Sequence, residues 1–528
     1  MRFMLVFLVF IAWVELFAQL PDYELHLGRD QGVVRAPSGM KVLYSDDKVL
    51  CVAKWRTMNS IERPWMLTWY DQRGLYKLDS LVFDIREGGK KCKMDQLVTI
   101  NEKIFLIYST IGEHPRKISV FARQIDPQRR HLSDESRKVF EFTATGHHPI
   151  RAGRMGFAVS QDQSKISFIR SFSRDSRDRE IVFFAVLDSG LNEQWKQVVT
   201  LPYPYGLVKV VNLKLSNDGD AFALTMFKTF AQNNPTLDVV ITRDSGKSAR
   251  RYPVQVKTGF VSSAQIELAN GKLVCAGFYS KTGGPGASGI FLNSIDIQTL
   301  VHSEATSDFD PKLVLQGVNA RDFAAIQKKA DLDNAAELNR FFIDHIIPEP
   351  DGGFILLGEQ RYDYSVGSIY STNRIPVQTR SSYRQNRNLY QPSRFYRGDI
   401  IALKIDATGN ILWENKIHKS QDTNNYRSIF SSYLVLNIKG RLNLLFNEDR
   451  RNIGGFAVHK EKDFGGFQPV VAVVALDEKG QAIRELIYDS VEWPLVTSPA
   501  MSMQLSDKEV LLYGQKFRRE QFSRIRFK

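Results

Sequence analysis

Cysteine is almost missing from this chain: 528 residues hold only Cys51, Cys92 and Cys275. Three thiols cannot build the disulfide framework on which small secreted domains depend. Cys51 and Cys275 close two matching segments, Lys48-Val49-Leu50-Cys51 and Lys272-Leu273-Val274-Cys275, so they read as small buried apolar residues in separate repeat units. Cys92, flanked by Lys91 and Lys93, reads as the exposed thiol. Long apolar runs are missing too: beyond the first residues none approaches the ~18 needed for a membrane span. There is no serine-nucleophile elbow, no phosphate-cradling P-loop and no zinc spacing. His147-His148, near Arg151 and Arg154, has no carboxylate close in sequence, and adjacent histidines rarely chelate one metal. No cofactor and no metal are therefore expected. Acid is in deficit, 71 Lys and Arg against 58 Asp and Glu, which leaves a net charge of +13.

The amino terminus carries Arg2, an apolar core over 4–14, and Leu16-Phe17-Ala18 ahead of Gln19. This pattern predicts a secretory signal peptide over 1–18 and an exported chain, periplasmic or associated with the cell surface. An uncleaved anchor helix is disfavoured by Glu15 and by the short core. The mature chain, 19–528, is expected to be one domain without a membrane span.

What fills that domain is a repeat. Seven apolar runs end in an aspartate that opens a short turn: Asp71, Asp126, Asp188, Asp244, Asp296, Asp406 and Asp477. Their separations are 55, 62, 56, 52, 110 and 71 residues, the longest enlarged by insertions. Each unit reads as four strands, a to d, for example 156–160, 165–171, 181–187 and 194–201 in the third. Strands b and c are continuously apolar, as befits sheets covered on both faces. Such a period predicts an all-β fold, a β-propeller of eight four-stranded blades. Seven is the alternative if the first unit is not a true blade. The eighth unit lacks its d strand, while 23–27 is a strand belonging to no unit, so the amino terminus is expected to close the last sheet.

In up-and-down blades the a-to-b and c-to-d turns share one face of the disc, and the other connections share the opposite face. The first class is short. The long insertions, a helix-like 321–342, 361–398 and 450–466, with the shorter 174–180 and the glycine-rich 281–289, all belong to the second class. Binding residues tend to sit on loops held by a rigid scaffold, so the decorated face is the expected working face. Segment 361–398 contains seven arginines, six tyrosines, one acidic residue and no lysine. Planar guanidinium forks grip carboxylate, sulfate or phosphate, and aromatic faces accept sugars or side chains. The candidate partner-binding residues are Arg374, Arg380, Tyr383, Arg384, Arg387, Tyr390, Arg394, Tyr396 and Arg397.

Asp406-Ala407-Thr408-Gly409-Asn410-Ile411-Leu412-Trp413 resembles the tryptophan-docking repeat of quinoprotein-type propellers, with Asp188-Ser189-Gly190 and Trp195 a looser copy. It is also similar to the sialidase aspartate box, without that box's leading serine. In both families the motif is structural, so neither likeness implies an enzyme. Pro350-Asp351-Gly352-Gly353-Phe354, Gly398-Asp399-Ile400-Ile401-Ala402-Leu403, and Leu445-Phe446-Asn447-Glu448-Asp449 together resemble a family of exported propellers of Gram-negative bacteria that has no activity to carry over.

The composition points to a binding or scaffold module for an envelope protein or an acidic glycan. Export disfavours nucleic acid as a partner. The rival is an enzyme acting on polysaccharide or peptidoglycan, which would show two carboxyl groups ~5–10 Å apart at the central channel.

Overall fold

The computed structural model describes residues 22–32, 37, 39–55, 65–111, 117–143, 155–172, 179–204, 207–227, 235–257, 259–316, 337–365, 393–424, 428–452, 469–489, 495–516 and 518–528. Residues 1–18, expected to be a signal peptide, and His147-His148 lie outside these residues, as do most of the three long insertions.

Eight antiparallel sheets follow one another along the chain, and the protein is an eight-bladed β-propeller. The first unit is a full blade, Gly39–Ser45, Val49–Trp55, Trp65–Asp71 and Lys77–Val82, which settles the number at eight rather than seven. The a strands of neighbouring blades lie against one another and therefore form the inner ring. Blade 8 takes its a, b and c strands from Met503–Ser506, Glu509–Lys516 and Arg519–Phe527. Its fourth strand is the amino-terminal Tyr23–Leu27, paired from Tyr23 with Phe527 to Leu27 with Ser523. The exposed edge that a missing strand would leave is thus covered by the other end of the chain.

The core is divided in the same way. Eight apolar clusters each join two consecutive blades. Phe140 of blade 2, for instance, meets Phe168 and Phe183 of blade 3. The last cluster joins blade 8 to blade 1 through Tyr513, Phe522, Tyr70 and Leu50. Since each sheet is buried on both faces by its neighbours, the b and c strands need apolar residues on both sides.

The aspartates work through local hydrogen bonds. Asp406 Oδ1 accepts the amides of Thr408 at 2.8 Å and Asn410 at 2.9 Å, and Asp477 Oδ1 those of Lys479 at 2.9 Å and Gln481 at 2.7 Å. The turns also dock blade to blade. A Cβ on Gly480, in the turn of blade 7, would collide with the Trp413 ring of blade 6, and one on Gly246 of blade 4 with Trp195 of blade 3. Asn415 Nδ2 adds a 2.7 Å bond to the Gly480 carbonyl. Each tryptophan therefore uses the missing side chain of the next blade's turn glycine.

Two expectations need correction. Cys92 is buried, not exposed. Its amide bonds the Ile85 carbonyl at 2.9 Å across the hairpin made by Arg86–Glu87 and Lys90–Lys91, which holds the lysines outside and the sulfur against the core between blades 1 and 2. All three cysteines are free; Cys51 sits in blade 1 and Cys275 in blade 5, and burial pushes both thiols up to about 12. The second correction concerns insertion boundaries. Leu338–Asn339 pair with Gly286–Ala287, and Phe341–Pro348 is the a strand of blade 6, so the end of the insertion expected over 321–342 is strand rather than helix. The described helix nearby is the single turn Pro311–Leu315, capped by Asp310.

Candidate partner-docking site on blade 6

Strands b and c of blade 6 are long: Phe354–Ser365 has 12 residues, matched among the other described strands by Glu193–Pro204, and Ser393–Ile405 has 13. They pair beyond the body of the blade, from Arg361 opposite Arg397 to Ser365 opposite Ser393. On the far edge Gln421–Asn424 pairs with Arg397 through Arg394. Both ends of the 361–398 insertion are thus a three-stranded ribbon rather than loop. The aromatic content of these ends, Tyr362, Tyr364, Phe395 and Tyr396, suits this, because aromatic residues fit a pleated, half-buried surface.

The ribbon stands on a buried charge network. Glu359, fully buried on strand b, is approached by Lys419 Nζ at 2.9 Å, Arg361 Nε at 3.0 Å and Arg397 Nε at 3.9 Å. Ser432 donates its hydroxyl to the same carboxylate at 3.1 Å. Arg361 and Arg397 face each other across the strands, where like charges repel; the shared carboxylate offsets that repulsion. Burial alone would raise the pKa of Glu359, but Lys419 and Arg361 hold it below the usual range. Arg361 also ion-pairs with Asp344, on the inner strand of the blade, and Tyr433 donates to Asp344 at 3.0 Å. Burial, reinforced by nearby Glu359, pushes the Asp344 carboxyl up to about 6 against the pull of Arg361.

From Lys419 the network continues outward. Its ammonium donates to the Arg397 carbonyl and to Gln421 Oε1, both at 3.1 Å. Gln421 Nε2 bonds the Asn447 carbonyl of blade 7 at 2.8 Å, and Asn447 Nδ2 reaches the Thr497 carbonyl of blade 8 at 2.6 Å. A charge pair with a partner removed leaves an uncompensated buried ion, so the arrangement fixes the root of the ribbon against three blades.

The candidate residues divide accordingly. Arg374, Arg380, Tyr383, Arg384, Arg387 and Tyr390 lie outside the described residues. Arg394 is on the ribbon's middle strand, its backbone opposite Tyr364 and Asn424. Tyr396 packs edge-on against Tyr362 with centroids 5.5 Å apart, and Arg397 is turned into the base network. Glu359, Lys419, Gln421 and Asp344 were missed by sequence reasoning. One signal was available: every b strand carries a buried polar residue in its second half or at its middle, Lys54, Ser109, Arg170, Thr225, Ser280, Glu359, Glu448 and Gln515. Chemically the described part of the site offers the phenol groups of Tyr362 and Tyr396 above an ion network that engages Arg361 and Arg397. Of the two carboxylates at its inner end, Glu359 is enclosed and Asp344 is partly exposed and paired with Arg361.

No family model and no curated protein matches the chain. Among solved structures it is similar to the WD40 domain of SCAP from fission yeast, at 9% identity over 94% of this chain and 98% of that one, with a TM-score of 0.38. The β-propeller domain of the Trilobed protease from Pyrococcus furiosus is 9% identical over 74% and 98%, with a TM-score of 0.30. A protein of unknown function from Bacteroides caccae is 11% identical over 73% of this chain and 94% of that one, with a TM-score of 0.25. Scores this low carry no argument about function, and the propeller rests on the strand pairings themselves.

Proposed function

We propose that this chain is an exported binding module whose blade 6 ribbon presents an arginine-tyrosine surface to an acidic partner in the cell envelope, a protein face or a glycan. The observation that carries the reading is the ribbon on its buried base: three strands, rooted by Glu359, Lys419, Arg361 and Arg397, leading into a segment with no lysine. Preorganised arginine loses less freedom on binding than a loose cation would, and pairs bidentately with carboxylate or sulfate. The signal sequence over 1–18 supports the compartment.

The test is capture of envelope material by wild type and by Arg380→Ala/Arg384→Ala/Arg387→Ala. The variant should keep its unfolding midpoint, because surface substitutions away from packed features usually change stability by less than ~0.5 kcal/mol. It should lose at least tenfold in capture, and wild-type capture should fall as salt rises, exposed charges being screened over ~8 Å at physiological ionic strength. Equal capture by the folded variant would refute the assignment.

A further inference from the structure

The glycine-rich connection between strands b and c of blade 5 encloses a carboxylate. Strand b, Lys272–Ser280, ends at a serine, and strand c, Gly289–Asp296, begins nine residues on. Between them the loop aims its donors at Glu337, which arrives from the other side of the 317–336 segment. Glu337 Oε1 accepts the Lys281 amide at 2.8 Å, the Thr282 amide at 3.2 Å, the Ser280 hydroxyl at 2.9 Å and the Ser288 hydroxyl at 2.6 Å. Oε2 accepts the Thr282 hydroxyl at 2.9 Å.

The loop is shaped for this before the carboxylate is counted. Ser280 Oγ receives the amides of Thr282 at 3.2 Å and Gly283 at 3.0 Å, curling the backbone so that successive N–H groups point inward, and Gly283 takes a φ of +74°. Successive amides turned to one side form an anion-binding concavity. Gly286 lies so close that any Cβ would strike the Glu337 side chain. Burial would raise the pKa of Glu337, but the hydroxyls of Ser288, Thr282 and Ser280 outweigh it and hold the carboxyl below its usual range. Every donor is neutral: Lys281 directs its own ammonium to Asp308 at 2.7 Å instead. The nest therefore recognises a planar two-oxygen anion by hydrogen-bond geometry rather than by charge. Beyond these bonds, the segment carrying Glu337 is held to the loop by the two-residue pairing of Leu338–Asn339 with Gly286–Ala287 and by a 2.9 Å bond from the Arg340 amide to the Pro285 carbonyl.

We propose that the 280–288 loop is a carboxylate-binding site on the decorated face, that Glu337 is its built-in occupant, and that a carboxylate of the acidic partner binds by taking that occupant's place. This deepens the reading of that face as the docking face for an acidic partner, and adds a second contact to it in the neighbouring blade. The carboxylate could come from a sugar acid or an acidic peptide, and the two are separated by the probes.

The experiment titrates wild type and Glu337→Gln with glucuronate and, separately, with a short acetylated aspartate peptide. Removing the internal competitor's charge should tighten binding at least tenfold, and Ser288→Ala added to Glu337→Gln should abolish the gain. A gain with glucuronate alone assigns a sugar acid; one with the peptide alone assigns an acidic peptide. A merely structural clamp gives no gain with either, which overturns the proposal. In the wild-type chain the amide signals of Lys281 and Thr282 should move during titration, and signals that stay fixed at saturating ligand overturn it even where the variant fails to fold. Because the nest's donors are neutral, its affinity should vary little with salt. Failure here, with the arginine variants of blade 6 still losing salt-sensitive capture, would leave the ribbon assignment standing.

Discussion

The seam where the ring closes contains a buried ion pair, and breaking it is a direct test of the closure. Lys54 of blade 1 and Glu520 of blade 8 approach to 2.6 Å with side-chain exposures of 4% and 7%. The Tyr70 hydroxyl donates to one Glu520 oxygen at 3.0 Å and the Tyr513 hydroxyl to the other at 2.7 Å, while the Lys54 ammonium lies over the rings of Tyr70, Tyr513 and Phe522 at 5.1, 5.6 and 5.9 Å. Glu520→Gln would leave an ammonium buried without its counter-charge. Loss of one member of such a pair costs ~3–5 kcal/mol, and the double replacement Lys54→Met/Glu520→Leu should recover most of it, because neither ion then remains. Urea unfolding followed by tryptophan fluorescence is the assay. With a slope of ~3 kcal/mol/M the single variant should move the midpoint by ~1 M or more. The shift should persist in high salt, since a buried pair is poorly screened. A single variant within ~1 kcal/mol of wild type, or a double variant as unstable as the single, would refute the reasoning.

Three further outcomes follow from the same geometry. Deleting 22–27 removes the strand paired with Arg519–Phe527 and the Tyr23 hydroxyl bond to the Ile487 carbonyl at 2.5 Å, so thermal unfolding should come earlier and lose cooperativity; an unchanged midpoint would contradict strand closure. Gly480→Ala meets both a φ of +76° and the Trp413 ring, and should cost ~2–4 kcal/mol, whereas Gly440→Ala, at φ +79° with open space around it, should cost only ~1–2; equal losses would dismiss the docking of the tryptophan. Asp344 keeps its proton more tightly folded than unfolded, its pKa rising from 3.8 to about 6, so its contribution is present at low pH and is lost as pH climbs through that window, by at most ~3 kcal/mol. Asp344→Asn should flatten that part of the stability profile, and identical slopes in the two proteins would sink the account.

The features legible in the sequence are those whose physics is local. Asp406 caps amides two and four residues on, and Asp477 does the same, so the beat of aspartates survives as a pattern in one dimension. Closure was legible for a related reason: a unit short of one strand and a strand short of a unit can only complete each other if no edge is left open. Cys92 misled because its lysine neighbours are local, while the fact that decides its burial, the amide bond to Ile85 across a two-residue hairpin, is a property of the folded turn. The charge networks were hidden for the opposite reason. Lys54 and Glu520 are 466 positions apart, and Glu337 meets Ser280 across 57, so no window along the chain contains both partners. What the sequence does hold is the conflict each network resolves: a buried polar or charged residue in a largely apolar b strand. In a sheet covered on both faces such a residue is costly unless paired. A lone Lys54, Arg170 or Glu359 in that position therefore announces a partner from another strand before the partner is known. The places where the blade pattern breaks toward polarity lie toward the decorated face, and the ribbon and the carboxylate nest both stand there.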